Sequence, residues 1–204
     1  VTVSEPTESI RPFPEAEYLA REATVRAVMA ARNVDVLYVT SPANLVYLTG
    51  YEAVWYPWRL PLGCAVVREP DALIFFDWTR HEAYARLHAR HDELVLFDYG
   101  DAVDVVTRAL GSRGLTTGTV AVEWCSQTPA APVTSAMAGA LEALGAEIVS
   151  GDWLVDGVRL LKSKVELQRV RRAAAVADEA FAALAHELHP GLTEIQVSAM
   201  VGPC

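Results

Sequence analysis

Asp35-Val-Leu-Tyr-Val-Thr-Ser-Pro-Ala-Asn-Leu-Val-Tyr-Leu-Thr-Gly-Tyr51 changes its period in the middle. Asp35 to Thr40 is a short, continuous apolar run rich in β-branched residues, the mark of a strand buried on both faces. Ser41-Pro42 breaks it, and a proline suits the first turn of a helix, where its missing N–H is no loss. The spacing predicts a short helix through Leu48, ended by Thr49-Gly50. A buried strand feeding directly into a helix is the unit from which α/β sheets are built.

The same alternation extends outward from this segment. Upstream, Glu15 to Arg32 reads as a helix, with Tyr18, Leu19, Val25, Val28 and Met29 near one face. Downstream, strands are expected at Leu62–Arg68 and Ala72–Phe76 around a Glu69-Pro70-Asp71 turn, then at 94–97, 119–123 and 147–149. Helices are expected at Trp78–Arg90, Asp101–Ser112 with Asp101 as N-cap, and Pro132–Leu144. The hairpin-like pair after Leu62 makes the sheet mixed rather than purely parallel. The fold class is therefore α/β, a mixed central sheet flanked by helices.

After Gly151 the texture changes. A helix is expected from Trp153 to Leu161, and Ser163 with Glu166 has capping-box spacing. From Lys164 to Leu188 the chain reads as one long alanine-rich helix, stopped by His189-Pro190-Gly191, and Thr193-Glu194 opens another. The boundary falls between Gly151 and Ser163. Residues 1–14 are expected to be an arm, 15–155 the first domain, and 156–204 a linker with the first helices of a second domain. The apolar side of the long helix would be exposed in this chain, which predicts poor solubility or self-association.

Composition narrows the function. The 204 residues carry 26 Asp and Glu against 17 Lys and Arg, a net charge of −9 that repels phosphate backbones and argues against nucleic acid. No apolar run is long enough to span a bilayer, and the first 14 residues lack the basic start and apolar core of a signal peptide. Cys64, Cys125 and Cys204 are odd in number and widely spaced, which fits neither a zinc site nor a disulfide framework. A reducing, cytoplasmic setting is expected.

Two segments resemble one family. Ser41-Pro-Ala-Asn-Leu-Val-Tyr-Leu-Thr-Gly-Tyr51 is similar to an element of the N-terminal domains of creatinases and Xaa-Pro peptidases. Val158-Arg-Leu-Leu-Lys-Ser-Lys-Val-Glu-Leu-Gln-Arg-Val-Arg-Arg-Ala-Ala174, with Ala177-Asp178 and Phe181 after it, resembles the junction that opens the pita-bread catalytic domain of the creatinase, aminopeptidase P and prolidase family. Leu188-His-Pro-Gly-Leu-Thr-Glu194 is similar to the next turn. The resemblance implies an N-terminal domain followed by the truncated start of a pita-bread α+β domain. It also implies homodimers that hydrolyse a C–N bond in a small peptide, or in a small amide or guanidino compound. Two divalent metal ions (Mn, Co or Zn) would serve the full-length protein, held by two Asp, one His and two Glu that lie beyond this chain. No metal ligand, cofactor or catalytic residue is therefore assigned to these 204 residues. The chain reads as a fragment, or as a stand-alone relative that binds peptide or protein without catalysis.

One irregular stretch stands out. Tyr51 to Pro61 packs Tyr51, Trp55, Tyr56 and Trp58 beside Arg59 and fits neither structural period. An arginine can grip a carboxylate with two hydrogen bonds, and aromatic faces exclude water or stack on a cation. The resemblance implies that this loop reaches the partner subunit's active site. Trp55, Tyr56, Trp58 and Arg59 are thus the candidate substrate-binding residues, with packing at a sheet edge or dimer interface as the bland alternative. His81, His88 and His91 lie on one expected helix and read as surface histidines. Asp35, Asp77, Asp98 and Glu123 fall near strand ends and read as caps and turn residues, rather than as ligands of a nuclease Mg²⁺. No Gly-x-Ser-x-Gly elbow or glycine-rich phosphate loop is present, and Cys64 falls inside a buried strand.

Overall fold

The change of period at Pro42 becomes a change of structure. In the computed structural model, which describes residues 11–200, β1 (Val36–Val39) runs straight into α2 (Pro42–Thr49), with Ser41 at its N-cap and Pro42 in its first turn. Gly50 ends α2 at φ +78°, a left-handed conformation that glycine adopts without a Cβ penalty. A Cβ there would also meet the Tyr18 hydroxyl at 2.6 Å.

The remaining elements follow in alternation. Helix α1 (Glu15–Ala31) precedes β1, and β2 (Gly63–Val67) and β3 (Ala72–Trp78) form the hairpin. Then come α3 (Glu82–His88), β4 (Glu93–Phe97), α4 (Ala102–Ser112), β5 (Thr119–Val122), α5 (Ala131–Ala143), β6 (Glu147–Ser150) and α6 (Leu154–Leu160). The six strands form one mixed sheet in the order β4-β3-β2-β1-β5-β6. β2 is antiparallel to β1 and β3, whereas β1–β5, β5–β6 and β3–β4 are parallel.

Every residue of β1 and β2 is buried, so both faces of the sheet are covered. Helices α1, α2 and α6 pack together, as do α4 and α5. Tyr38, Phe75, Phe76, Leu37 and Leu73 are among the largest fully buried side chains. Truncating such an aromatic to alanine costs about 3–5 kcal/mol. A buried ion cluster ties α1 to the end of α3: Glu22 bonds Arg26 at 3.2 Å and Arg90 at 3.1 Å.

The chain divides after Leu160 into two compact units. Helix α6 goes with the first because Leu154 and Val155 are buried in its core. The second unit contains α7 (Lys164–Glu187) and α8 (Glu194–Met200). Helix α7 opens with the expected capping box: Ser163 accepts from the Glu166 N–H, and Glu166 accepts from the Ser163 N–H. The expected arm falls largely outside the described residues. Its last four residues lie against α1, where Arg11 pairs with Glu15 and Phe13 meets Tyr18 edge-on.

Three local expectations are corrected. The expected helix from Trp78 to Arg90 is instead the end of β3, a 3-10 turn at Thr79–His81, and the seven-residue α3. Pairing of Trp78 with Phe97 holds the former extended. The Asp101 side chain does not cap α4; it accepts from the Asp98 N–H in the preceding turn. Finally, His91 lies beyond the end of α3 and bonds the Ala89 carbonyl at 2.9 Å.

Candidate functional site

Only β2 runs against the other five strands. The C-terminal ends of β1, β3, β4, β5 and β6 therefore share one edge of the sheet, the edge at which α/β folds place their ligands. The irregular segment from Tyr51 to Leu62 enters β2 at this same edge, because Gly63 pairs with Phe76 and Cys64 with Val39. The edge has an aromatic half, at β2–β3–β4, and a carboxylate half, at β1–β5–β6.

The aromatic half is anchored on Asp77, which is fully buried. Its Oδ2 accepts from the Tyr51 hydroxyl at 2.8 Å, and its Oδ1 accepts from the Trp78 N–H at 2.7 Å and lies 3.0 Å from His81 Nδ1. Burial pushes the Asp77 carboxyl above its ordinary range, while the bonds from Tyr51 and His81 pull it down. Tyr51 is raised by burial and by the Asp77 charge. The loop is fastened further along: Tyr56 donates to the Tyr51 carbonyl at 2.6 Å, and Tyr84 of α3 donates to the Glu52 carbonyl. Burial raises the Tyr56 phenol to about 12.

The four candidate binding residues separate into three positions. Trp58 and Arg59 stay together on the surface, with the guanidinium 4.6 Å from the indole centroid. Arg59 forms no ion pair among the described residues. It borders an open groove of about 280 Å³ shared with Leu60, Tyr99, Asp101, Val103 and Val133. Trp55 is 41% exposed and rests against Tyr84 and His81, with centroids 5.1 and 5.5 Å away. Tyr56 turns inward to its bond with the loop backbone. The structure thus presents a stacked guanidinium and two partly exposed indoles on a fastened segment, suited to gripping a carboxylate and shielding it from water.

The carboxylate half is built for support. Glu123 is buried at the end of β5, where Oε2 accepts from the Thr40 and Ser41 N–H groups, both at 2.7 Å, and Oε1 accepts from Asn44 Nδ2 at 2.6 Å. It thereby satisfies backbone donors at the N-terminus of α2. Asn44 also donates to Asp156 and accepts from Arg159. Burial pushes Glu123 up, against the pull of Ser41, Asn44 and Thr40. At the opposite end of the sheet, before β1, Asp35 accepts from the Thr119 N–H and pairs with Arg68. These acids clamp loops and strand ends, a wider role than capping alone.

Neither half contains an activated nucleophile. Burial raises Cys64 well above the usual thiol range, and the neighbouring Asp152 raises Cys125. Among the described residues, no three His, Cys, Asp or Glu converge as metal ligands. The expectation of plain surface histidines fails at His81, which is largely covered and bonded to Asp77. The sequence signal available was its spacing, four residues beyond Asp77. Tyr84 and Tyr99, also absent from the candidate set, offered no such signal.

Comparison with known proteins adds the following. Residues 21–161 match the family model described as the Creatinase/Prolidase N-terminal domain. An uncharacterized hydrolase/peptidase of Sinorhizobium fredii is 31% identical over 202 residues, covering 93% of this chain and 50% of that protein. The ectoine hydrolase of Halomonas elongata is 25% identical over 201 residues, covering 89% of this chain and 47% of its own length. The structure of a Xaa-Pro dipeptidase from Bacillus anthracis superposes with a TM-score of 0.70 at 21% identity, over 90% of this chain and 47% of that one. The chain spans about half the length of the curated relatives it matches. Among the described residues, no helix is long and apolar enough to cross a membrane.

Proposed function

Because the chain belongs to the creatinase/prolidase N-terminal domain family, we propose that it is the dimerisation and substrate-access domain of a C–N hydrolase of the creatinase or Xaa-Pro peptidase kind, not catalytic by itself. The relatives named as hydrolases and peptidases support the reaction class. In this reading the parent protein is a cytoplasmic homodimer acting on a small peptide or a small amide or guanidino compound. Among the described residues Cys64 and Cys125 are both free, which suits a reducing compartment. The described residues do not fit the two divalent metal ions that the family resemblance implies, so no step is assigned to metal here. In this proposal Mn, Co or Zn is held elsewhere in the parent protein.

The observation that carries the reading is the Arg59 guanidinium, which forms no ion pair among the described residues and stacks on Trp58, on a segment whose backbone is held at the Tyr51 and Glu52 carbonyls. A guanidinium held by an aromatic face loses little freedom on gripping a carboxylate. In the dimer, Trp55, Trp58 and Arg59 form a wall of the partner's active site, with Tyr56 supporting them from within the loop. Arg59→Ala in the full-length protein is expected to raise KM with little change in kcat or in melting temperature. Unchanged kinetics would remove Arg59 from the site.

The exposure of Val54, Trp55, Trp58 and Tyr99 favours a second reading, a peptide- or protein-binding module without catalysis. Tight peptide binding by the 204-residue chain as a monomer would select it.

A further inference from the structure

Trp55 is a partly exposed aromatic of the loop with a defined seat: its side chain hydrogen-bonds Tyr51 at the start of the loop, and the walls of the seat come from outside it. One wall is Tyr84 of α3, set edge-on with its ring 5.1 Å away; the other is the His81 ring at 5.5 Å. The His81 ring also meets Trp78 at 5.5 Å, so it lies between two indoles. Its rotation is fixed from behind, where Nδ1 faces the fully buried Asp77 carboxylate at 3.0 Å. Asp77 is fixed in turn by the Tyr51 hydroxyl and the Trp78 N–H. A packing role alone would be filled by any ring at position 81; the buried carboxylate singles out one that can also donate.

We infer that His81, oriented by Asp77, is the positioning residue that sets Trp55 at the mouth of the proposed recognition wall. Its importance for binding rests on the reading of the loop given above, whereas the placement of Trp55 does not. Ring pairs of this kind contribute enough to shift a docked population by about 2- to 12-fold, so losing one wall releases the indole without unfolding the domain.

The test uses the 204-residue chain labelled with 5-fluorotryptophan, its five fluorine resonances assigned by single Trp→Phe changes. In His81→Ala the Trp55 resonance is expected to move toward that of free 5-fluorotryptophan and its solvent accessibility to rise, while Trp124 and Trp153 stay in place. His81→Phe, which keeps a ring but cannot bond Asp77, is expected to restore the resonance only in part. An unmoved Trp55 resonance in His81→Ala overturns the inference. So does equal movement of all five resonances, or full restoration by His81→Phe. Should Arg59→Ala leave KM unchanged while His81→Ala frees Trp55, the positioning stands and the recognition role of the loop falls.

Discussion

Glu123 shows how much can depend on one side chain. Its carboxylate accepts three donors from the β1–α2 junction, two of them backbone N–H groups. Glu123→Gln replaces one acceptor oxygen by an NH₂ that faces donors, and an unmet buried bond costs about 1–3 kcal/mol. The urea midpoint is expected to fall with an unchanged slope. The pH dependence has a definite sign. Burial raises the folded-state Glu123 carboxyl, so the folded chain holds this proton more tightly than the unfolded chain. Its stabilising share is complete below the ordinary carboxylate range and is lost as pH rises through the raised value. The stability gap between wild type and Glu123→Gln should therefore be widest in acid and narrow toward neutrality; a gap that widens would show that the three donors outweigh burial. The sequence marked Glu123 only as an acid near a strand end. Its partner Asn44 is 79 residues away, and no local pattern reveals that pairing.

Among the elements, those governed by local chemistry were the legible ones. Helix α7 begins where the Ser163 and Glu166 spacing puts it, since both halves of the capping box lie within one turn. Ser163→Ala is expected to cost about 0.5–2 kcal/mol of helix stability, read as lost helical circular dichroism and a lower melting temperature in the 204-residue chain, with Ser163→Asp recovering most of it. The corner from β3 to α3 was illegible for the complementary reason. Its residues have ordinary helical character, but the ladder to β4 holds Trp78 extended and only three residues of 3-10 turn precede α3. That misreading hid the seat of Trp55, because His81 belongs to the turn and not to a solvated helical face. The Tyr51–Pro61 stretch was recognisable as irregular and aromatic. Which of its side chains face outward depends on Asp77, Tyr84 and the loop backbone, and so on the folded structure.

For the molecule as a whole, alternation of strand and helix gave the α/β class, and the hairpin gave the mixed sheet. The strand order was beyond reach, since it depends on pairings between segments distant in the chain. Reversal of β2 alone is what gathers the aromatic loop and the buried acids on one edge. The same sheet also constrains how the chain assembles. The central strand β1 pairs Val36 with Val67 of β2 on one side and with Val120 of β5 on the other. The second connection is more than twice as long as the first, which adds about 1 kcal/mol of closure entropy. The half containing β1 to β4 can therefore zip up from neighbouring segments, leaving β5 and β6 to dock along a single seam. Refolding is expected to nucleate on the β1–β2–β3 meander, with pulse-labelled amides of Ala65 and Val67 protected before those of Val120 and Val122. Simultaneous protection would mean that the seam itself belongs to the nucleus, and that the long β1–β5 closure is made before the barrier rather than after it.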